Sequence, residues 1–439
     1  MEYDHIIVTE DYPFLALVSK QKIDNNIECI GPWCYLDDFA NGDFSSLNKN
    51  YHIAGKENPN KLKLSANADE YHDRFICHLS GVLNQHHGRN YSQKYWSILL
   101  SASVTYVIES VLNKIHLIED NKNDYEADVF DLKSHPVINS TRSLMGWLNS
   151  DDGTLYTFSY ILLHSNQNKI IIKKRHNFIQ KKIGLFRRLN ISRRVILEYL
   201  KTYLAIFFSL KNGVYIESIP GLSFKDIVSL NIQNKEKIKK LLLAKKAVAS
   251  KRVKREKIFS EFEPKNLEEE VIQSILTYTL PTIFFENFKK YEKICSLPSY
   301  LINHSFDKLY CGPLFGGNDI AKFIFSKCVD NKSELIISQH GSNYGTALVF
   351  TTMNLCEYKN CDSFISWGWK AHSDYKIKVK SLPSPYLSKL KTNYKNISIN
   401  EIVFVGNNLS IYGDRISSGP NAQESVSYTH LTVPTNREV

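Results

Sequence analysis

The stretch from residue 308 to 345 constrains the fold most. Lys308-Leu-Tyr-Cys311 reads as a short strand, and Gly312-Pro-Leu-Phe-Gly316-Gly317-Asn318-Asp319 reads as a loop. Ile320 to Val329 carries apolar residues at helical spacing behind Asn318 or Asp319 as cap, and Glu334-Leu-Ile-Ile-Ser338 is a second strand. That strand runs straight into Gln339-His340-Gly341-Ser342-Asn343-Tyr344-Gly345. Strand, glycine loop, helix and strand make one βαβ unit. Such a unit predicts an α/β fold with a parallel sheet, whose ligands sit beyond the carboxyl ends of the strands.

Length permits more than this one unit. At 439 residues, 43% of them hydrophobic and 23% charged, the chain is long enough for two or three cores, which excludes disordered and fibrous classes. Two further short strands are predicted near His5–Thr9 and Ile27–Ile30. Between Asn67 and Ile118 the apolar positions predict two helices, broken at His87-Gly88-Arg89-Asn90. The longest uncharged apolar run, Tyr95 to Ile108, is too short for a bilayer span and suits a buried helix. Eight cysteines without a C-x-x-C pair point to reduced thiols and no zinc site. Without a basic n-region ahead of an apolar core, the expected location is the cytoplasm.

Charge is unevenly spread. From Lys169 to Lys257 there are 24 Lys and Arg against five acids, a surplus of 19 in a chain whose net charge is +10. The rest is therefore acidic. The region from 169 to about 262 is predicted to be a mostly helical insert rather than a core layer, with Lys235 to Leu243 forming a partly amphipathic helix. Anionic lipid or nucleic acid phosphate would satisfy those charges, as would water around a solvated face.

Three places carry candidate chemistry. His340, directly after an apolar strand, is placed to act as a general base in the crevice, with Gly341 and Gly345 allowing close approach of a ligand to backbone amides. A histidine that caps a turn fits the same residues. The loop holding Gly316 and Gly317 at a helix start offers amides to a phosphate, although it lacks the Lys and Ser/Thr of a P-loop and equally fits a plain βα turn. Trp367-Gly368-Trp369 offers indoles for stacking on a sugar or base, or for core packing. No cofactor and no metal are expected.

Several motifs, in this order, resemble a family. Cys29-Ile-Gly-Pro-Trp33-Cys34, Tyr51-His52, His86-His-Gly-Arg-Asn-Tyr91-Ser-Gln-Lys-Tyr95-Trp96, Gln339-His-Gly-Ser-Asn-Tyr-Gly345, Phe364-Ile-Ser-Trp-Gly-Trp369 and Leu382-Pro-Ser-Pro385 are similar to a transferase family of bacterial O-antigen and surface-carbohydrate gene clusters. The resemblance covers residues 1 to about 418. It departs after His52, where this chain reads Ile-Ala-Gly-Lys-Glu. It implies a GT-B-like arrangement, with an N-terminal Rossmann-like domain carrying helical insertions and a truncated C-terminal Rossmann-like domain. The boundaries that follow are 1–385 for the acceptor-side domain, 386–425 for the start of the donor-side domain, and 426–439 for a tail. The resemblance implies glycosyl transfer from a nucleotide-activated sugar to a lipid-linked or saccharide acceptor, with the basic insert holding the protein on the inner, anionic membrane face. The Gln-His-Gly segment also looks like the loops of capsule sugar transferases and polyol-phosphate polymerases. By that likeness His340 is base or donor contact, with Gly341, Tyr344 and Gly345 as substrate-binding candidates beside it; the further substrate-binding candidates are Gln339, the loop glycines Gly316 and Gly317, the indoles of Trp367 and Trp369, and Trp33 and His52 of the other motifs. The alternatives are a polyol-phosphate transferase and a non-catalytic protein binding nucleic acid or membrane through its basic segment. Nucleic acid is not the expected partner.

The end of the chain carries its own expectation. Val426-Ser-Tyr-Thr-His-Leu431 resembles a translated sequencing adaptor, and Glu401 to Asn407 reads as the first strand and turn of a domain that then stops. Residues beyond about 400 are expected to pack poorly, and the chain as written to be inactive.

Overall fold

The computed structural model describes residues 60–119, 125–130, 135–165, 170–176, 213–217, 219–223, 225–226, 229–230, 237–240, 255, 257–305, 307–312, 317–341, 343–370, 377–393 and 416, with N-terminal strands at 3–7, 16–19, 27–29 and 52–53. Those strands, β1 (Tyr3–Ile7), β2 (Ala16–Ser19), β3 (Ile27–Cys29) and β4 (His52–Ile53), form one sheet, antiparallel except for the β3–β4 pair.

Two long helices come next. Helix α1 (Lys61–His87) starts where the Asn60 side chain accepts from the Leu62 and Lys63 amides. It ends at Gly88, whose φ of 63° lets its amide and that of Arg89 reach back to the last carbonyls. Helix α2 (Gln93–Glu119) follows at once. Between them Asn84 does the work of the turn: its Oδ1 accepts from the Tyr91 amide and the Trp96 indole, and its Nδ2 donates to the Tyr91 carbonyl. The His86–Trp96 motif is thus a helix–turn–helix joint. By length and composition Gln93–Ile115 passes as a membrane span, but 94% of that window is buried inside the protein. It is the core helix, with Trp96, Leu99, Val107, Ile108 and Val111 fully enclosed.

A pair of parallel strands, β5 (Tyr125–Phe130) and β6 (Ile170–His176), flanks two helices, α3 (Thr141–Leu148) and α4 (Asp151–His164). Strands β7 (Gly213–Ile216) and β8 (Lys237–Lys240) precede α5 (Leu267–Thr279) and α6 (Phe288–Ser305). Then come β9 (Lys308–Cys311), α7 (Asp319–Asp330), β10 (Glu334–Ser338), α8 (Thr351–Cys356), a 3-10 turn (Tyr358–Asn360), β11 (Ser363–Trp367), β12 (Lys378–Leu382) and α9 (Pro385–Asn393). The fold is mixed α/β.

The expected βαβ unit is present as β9–α7–β10, with Asn318 as the cap: its side chain accepts from the Ala321 amide. Six strands form one sheet in the order β12-β11-β10-β9-β7-β8, every pair parallel. Strand order reverses between β7 and β9, which makes their carboxyl ends the topological switch point. Central β10 is buried from Leu335 onward, as a strand covered on both faces must be.

The basic region differs from its prediction. Strands β6, β7 and β8 all fall within 169–262, and β7 and β8 belong to the central sheet rather than to an added helical layer. The reason lies in the residues. Val214-Tyr215-Ile216 is a β-branched and aromatic run whose Tyr215 and Ile216 are buried. Lys237-Ile-Lys-Lys240, predicted as part of an amphipathic helix, is an edge strand, a position where lysines discourage pairing with another chain. Arg255 is not a surface charge at all. It is buried and forms a two-pronged ion pair with Glu286 while donating to the Leu280 carbonyl.

Of the residues expected to begin a second domain, Ile416 is described, and it departs from the expectation of poor packing. It is 1% exposed, its amide donates to Glu109 Oε1, and its carbonyl accepts from the Thr351 amide. The tail from 426 lies outside the described residues.

Candidate functional site

The carboxyl edge of the six-stranded sheet brings the loops together. Glu217 follows β7, Gly312 follows β9, Gln339 and His340 follow β10, and Gly368 and Trp369 follow β11. His340 therefore stands beyond a strand end beside the switch point, where the sequence placed it.

Three side chains close on each other there. His340 Nε2 lies 2.8 Å from Glu357 Oε1 and 2.5 Å from the Tyr344 hydroxyl, and that hydroxyl donates to Glu357 Oε2 at 2.9 Å. The His340 side chain is 27% exposed and that of Glu357 only 8%. Burial, reinforced by the Glu357 charge, pushes the Tyr344 phenol well above its ordinary pKa, so it remains a hydrogen-bond donor. Glu357 was not among the candidates. It sits 17 residues after His340, just past α8, and the 3-10 turn that follows swings the chain back to β11. The only sequence trace is an acid at the end of a six-residue helix.

Gln339 is a clamp. Its backbone amide continues the β10–β11 ladder to the Ile365 carbonyl, and its side-chain oxygen accepts from both the Trp367 amide and the Trp369 indole, each at 2.8 Å. Its amide nitrogen donates to the Gly341 carbonyl. With its polar atoms so occupied, Gln339 fixes the two loops in register. Trp369 packs over Gly345, while Gly368 takes a φ of 91° to turn the loop. Gln339, His340, Gly341, Tyr344, Gly345, Trp367 and Trp369 thus form one cluster at neighbouring strand ends.

The glycine loop after β9 looks different. Gly316 lies outside the described residues. Gly317, at φ 129°, lies against the Arg142 side chain. Asn318 donates to Glu217 Oε1 and caps α7. Asp319 turns away from the strand ends: its carboxylate accepts from the Thr141 amide and hydroxyl and pairs with Lys322, which is completely buried. The α7 start is therefore engaged by this chain's own polar groups.

Trp33 lies outside the described residues. His52 is in β4, opposite Glu28, on the N-terminal sheet and not on the sheet that carries His340. Six cysteines among the described residues are free thiols. Burial pushes Cys295, Cys356 and Cys361 up to about 12, which leaves them as packing groups rather than nucleophiles.

A comparison of the sequence with protein families finds the LIC12162 family transferase, matched over residues 14–431. No curated protein and no solved structure matches the chain.

Proposed function

Because the chain belongs to the LIC12162 family of transferases, we propose that it transfers a glycosyl group from a nucleotide-activated sugar to a hydroxyl of a lipid-linked or saccharide acceptor in surface-polysaccharide assembly. The observation that carries this reading is His340: an imidazole at the carboxyl end of a parallel strand, partly open to solvent and backed by a buried carboxylate. In this reading His340 is the general base for the acceptor hydroxyl, a contribution of roughly 10²- to 10⁴-fold in rate.

The neighbouring residues take supporting roles. Gly341 and the Trp367–Trp369 loop belong to the strand-end border that carries His340, and in this reading the indoles take the C–H faces of a sugar. Gln339, Tyr344 and Gly345 hold that border in place. In this reading the enzyme has a two-domain, GT-B-like arrangement with the donor held across the sheet edge from His340. Lys and Arg of the 169–257 region, the buried Arg255 apart, draw the protein to anionic lipid at about 1 kcal/mol per residue near the surface.

Calorimetric titration with a panel of nucleotide-activated sugars and nucleotide-activated polyol phosphates tests the donor class. Binding of the sugars alone supports glycosyl transfer, and binding of the polyol phosphates alone replaces it with polyol-phosphate transfer. Turnover retained in His340→Ala would remove the base assignment.

A further inference from the structure

The three-way contact around His340 specifies which ring nitrogen is free to react. Glu357 is buried, and each of its two carboxylate oxygens needs a donor. Tyr344 supplies one through its hydroxyl at Oε2, and the only group on Oε1 in the cluster is His340 Nε2 at 2.8 Å. An unprotonated Nε2 would set a nitrogen lone pair against a carboxylate lone pair at that distance and leave a buried anion half satisfied. The hydrogen must therefore reside on Nε2, which also lets the Tyr344 oxygen, 2.5 Å away, accept a share of it. One N–H and one O–H then satisfy the whole triangle.

We propose that His340 accepts its proton on Nδ1, and that Glu357 and Tyr344 are positioning residues that lock the ring in the tautomer with Nε2 protonated. Among the described residues Nδ1 has no hydrogen-bond partner, whereas Nε2 has two. The inference rests on the reading of His340 as the base of the transfer. In that step the acceptor O–H bond breaks and its proton goes to Nδ1. The oxygen forms a bond to the anomeric carbon as the carbon–phosphate-oxygen bond breaks, and the electron pair leaves with the nucleotide. The imidazolium so formed lies against the Glu357 carboxylate, the division of labour known from carboxylate–histidine pairs but with the two ring nitrogens exchanged. This also fixes geometry: Nδ1 is the ring nitrogen bonded to Cγ, so the acceptor must approach the ring on the edge nearest the His340 backbone.

Nitrogen-15 NMR of the histidine-labelled protein, with His340 assigned by its loss in His340→Gln, reads the tautomer directly. The expected result is a pyridine-like Nδ1 and a pyrrole-like Nε2 in the unsubstituted protein. Tautomer mixing is expected in Glu357→Leu and, to a smaller degree, in Tyr344→Phe. Turnover in Glu357→Gln should fall about 100-fold or more with the donor KM unchanged, and Glu357→Asp should restore part of it. A pyridine-like Nε2 in the unsubstituted protein, which needs no variant to fold, overturns the proposal, as does wild-type turnover in Glu357→Gln. The two readings fail separately. If the tautomer is as expected but His340→Ala still turns over, the base assignment falls. If His340→Ala is dead but Nε2 carries the lone pair, the positioning scheme falls.

Discussion

The indole of Trp369 occupies the place where a side chain on Gly345 would begin: a β-carbon there would stand 2.5 Å from Trp369 Cδ2. Gly345 also has a φ of 71°, a conformation that costs other residues about 1–2 kcal/mol. Gly345→Ala is therefore expected to displace the indole and lower stability by more than that strain alone. Thermal unfolding and tryptophan fluorescence check this, and an unchanged emission spectrum would contradict the packing described.

Gln339 makes a related prediction with a different chemistry. Gln339→Leu keeps the volume but removes the acceptor shared by the Trp367 amide and the Trp369 indole. Each stranded donor costs roughly 1–3 kcal/mol, so the urea midpoint should drop by an amount a single surface hydrogen bond would not explain. His340 Nε2 should keep its tautomer, since the Glu357 contact does not pass through Gln339.

The Asp319–Lys322 pair is fully enclosed. Asp319→Ala leaves a buried ammonium with the Thr141 hydroxyl and the Phe284 ring but no counter-charge among the described residues, and a loss of about 3–5 kcal/mol is expected in denaturant unfolding. Adding Lys322→Met should recover a large part of it. A double variant no better than the single one would show that the Thr141 amide cap, not the ion pair, was the larger loss.

His87 sets a pH dependence. Its ring is stacked 4.2 Å from Phe288 and Nε2 reaches the Phe284 carbonyl, and burial lowers its pKa from 6.5 to about 4. The folded state thus binds this proton later than the unfolded chain does. Stability from His87 is complete above about pH 6.5, is lost as pH falls toward 4, and changes no further below that. The loss between pH 7 and pH 5 is about 2 kcal/mol. Urea midpoints at the two pH values should show it, and His87→Phe should flatten that limb.

Vesicle sedimentation addresses the basic region. Retention on anionic vesicles that falls as salt rises, with none on neutral vesicles, is expected if the Lys and Arg of 169–257 face lipid. Retention on DNA with indifference to vesicles would instead favour a nucleic-acid role.

What could be read from the residues, and what could not, follows from the range of the forces involved. The β9–α7–β10 unit was legible because Leu335-Ile-Ile337 is an unbroken apolar run shortly before Gln-His-Gly, and a central parallel strand leaves that local mark. The Asn318 cap was legible for the same reason. Glu357 was not, because its meaning depends on where α8 and the 3-10 turn return the chain, a tertiary fact with no periodicity. Strand β8 was misread because Lys-Ile-Lys-Lys suits a polar helix face and a sheet edge equally well, and only its pairing with β7 decides. Gln339 could be placed at the strand end from its neighbours in sequence, but its use as a clamp needed the Trp367–Trp369 loop to be seen beside it.

The enclosure of α2 has a consequence during synthesis. Its walls include α5, α7 and α8, the last of which ends at Cys356, more than 200 residues after α2 itself ends at Glu119. At 5–20 residues per second the ribosome needs roughly 10–50 s to make that difference. Throughout that interval a 27-residue apolar helix, long enough to interest a translocon or an Hsp70-type holdase, waits for its partners. Expression yield should therefore depend on chaperone supply more than the stability of the finished fold would suggest.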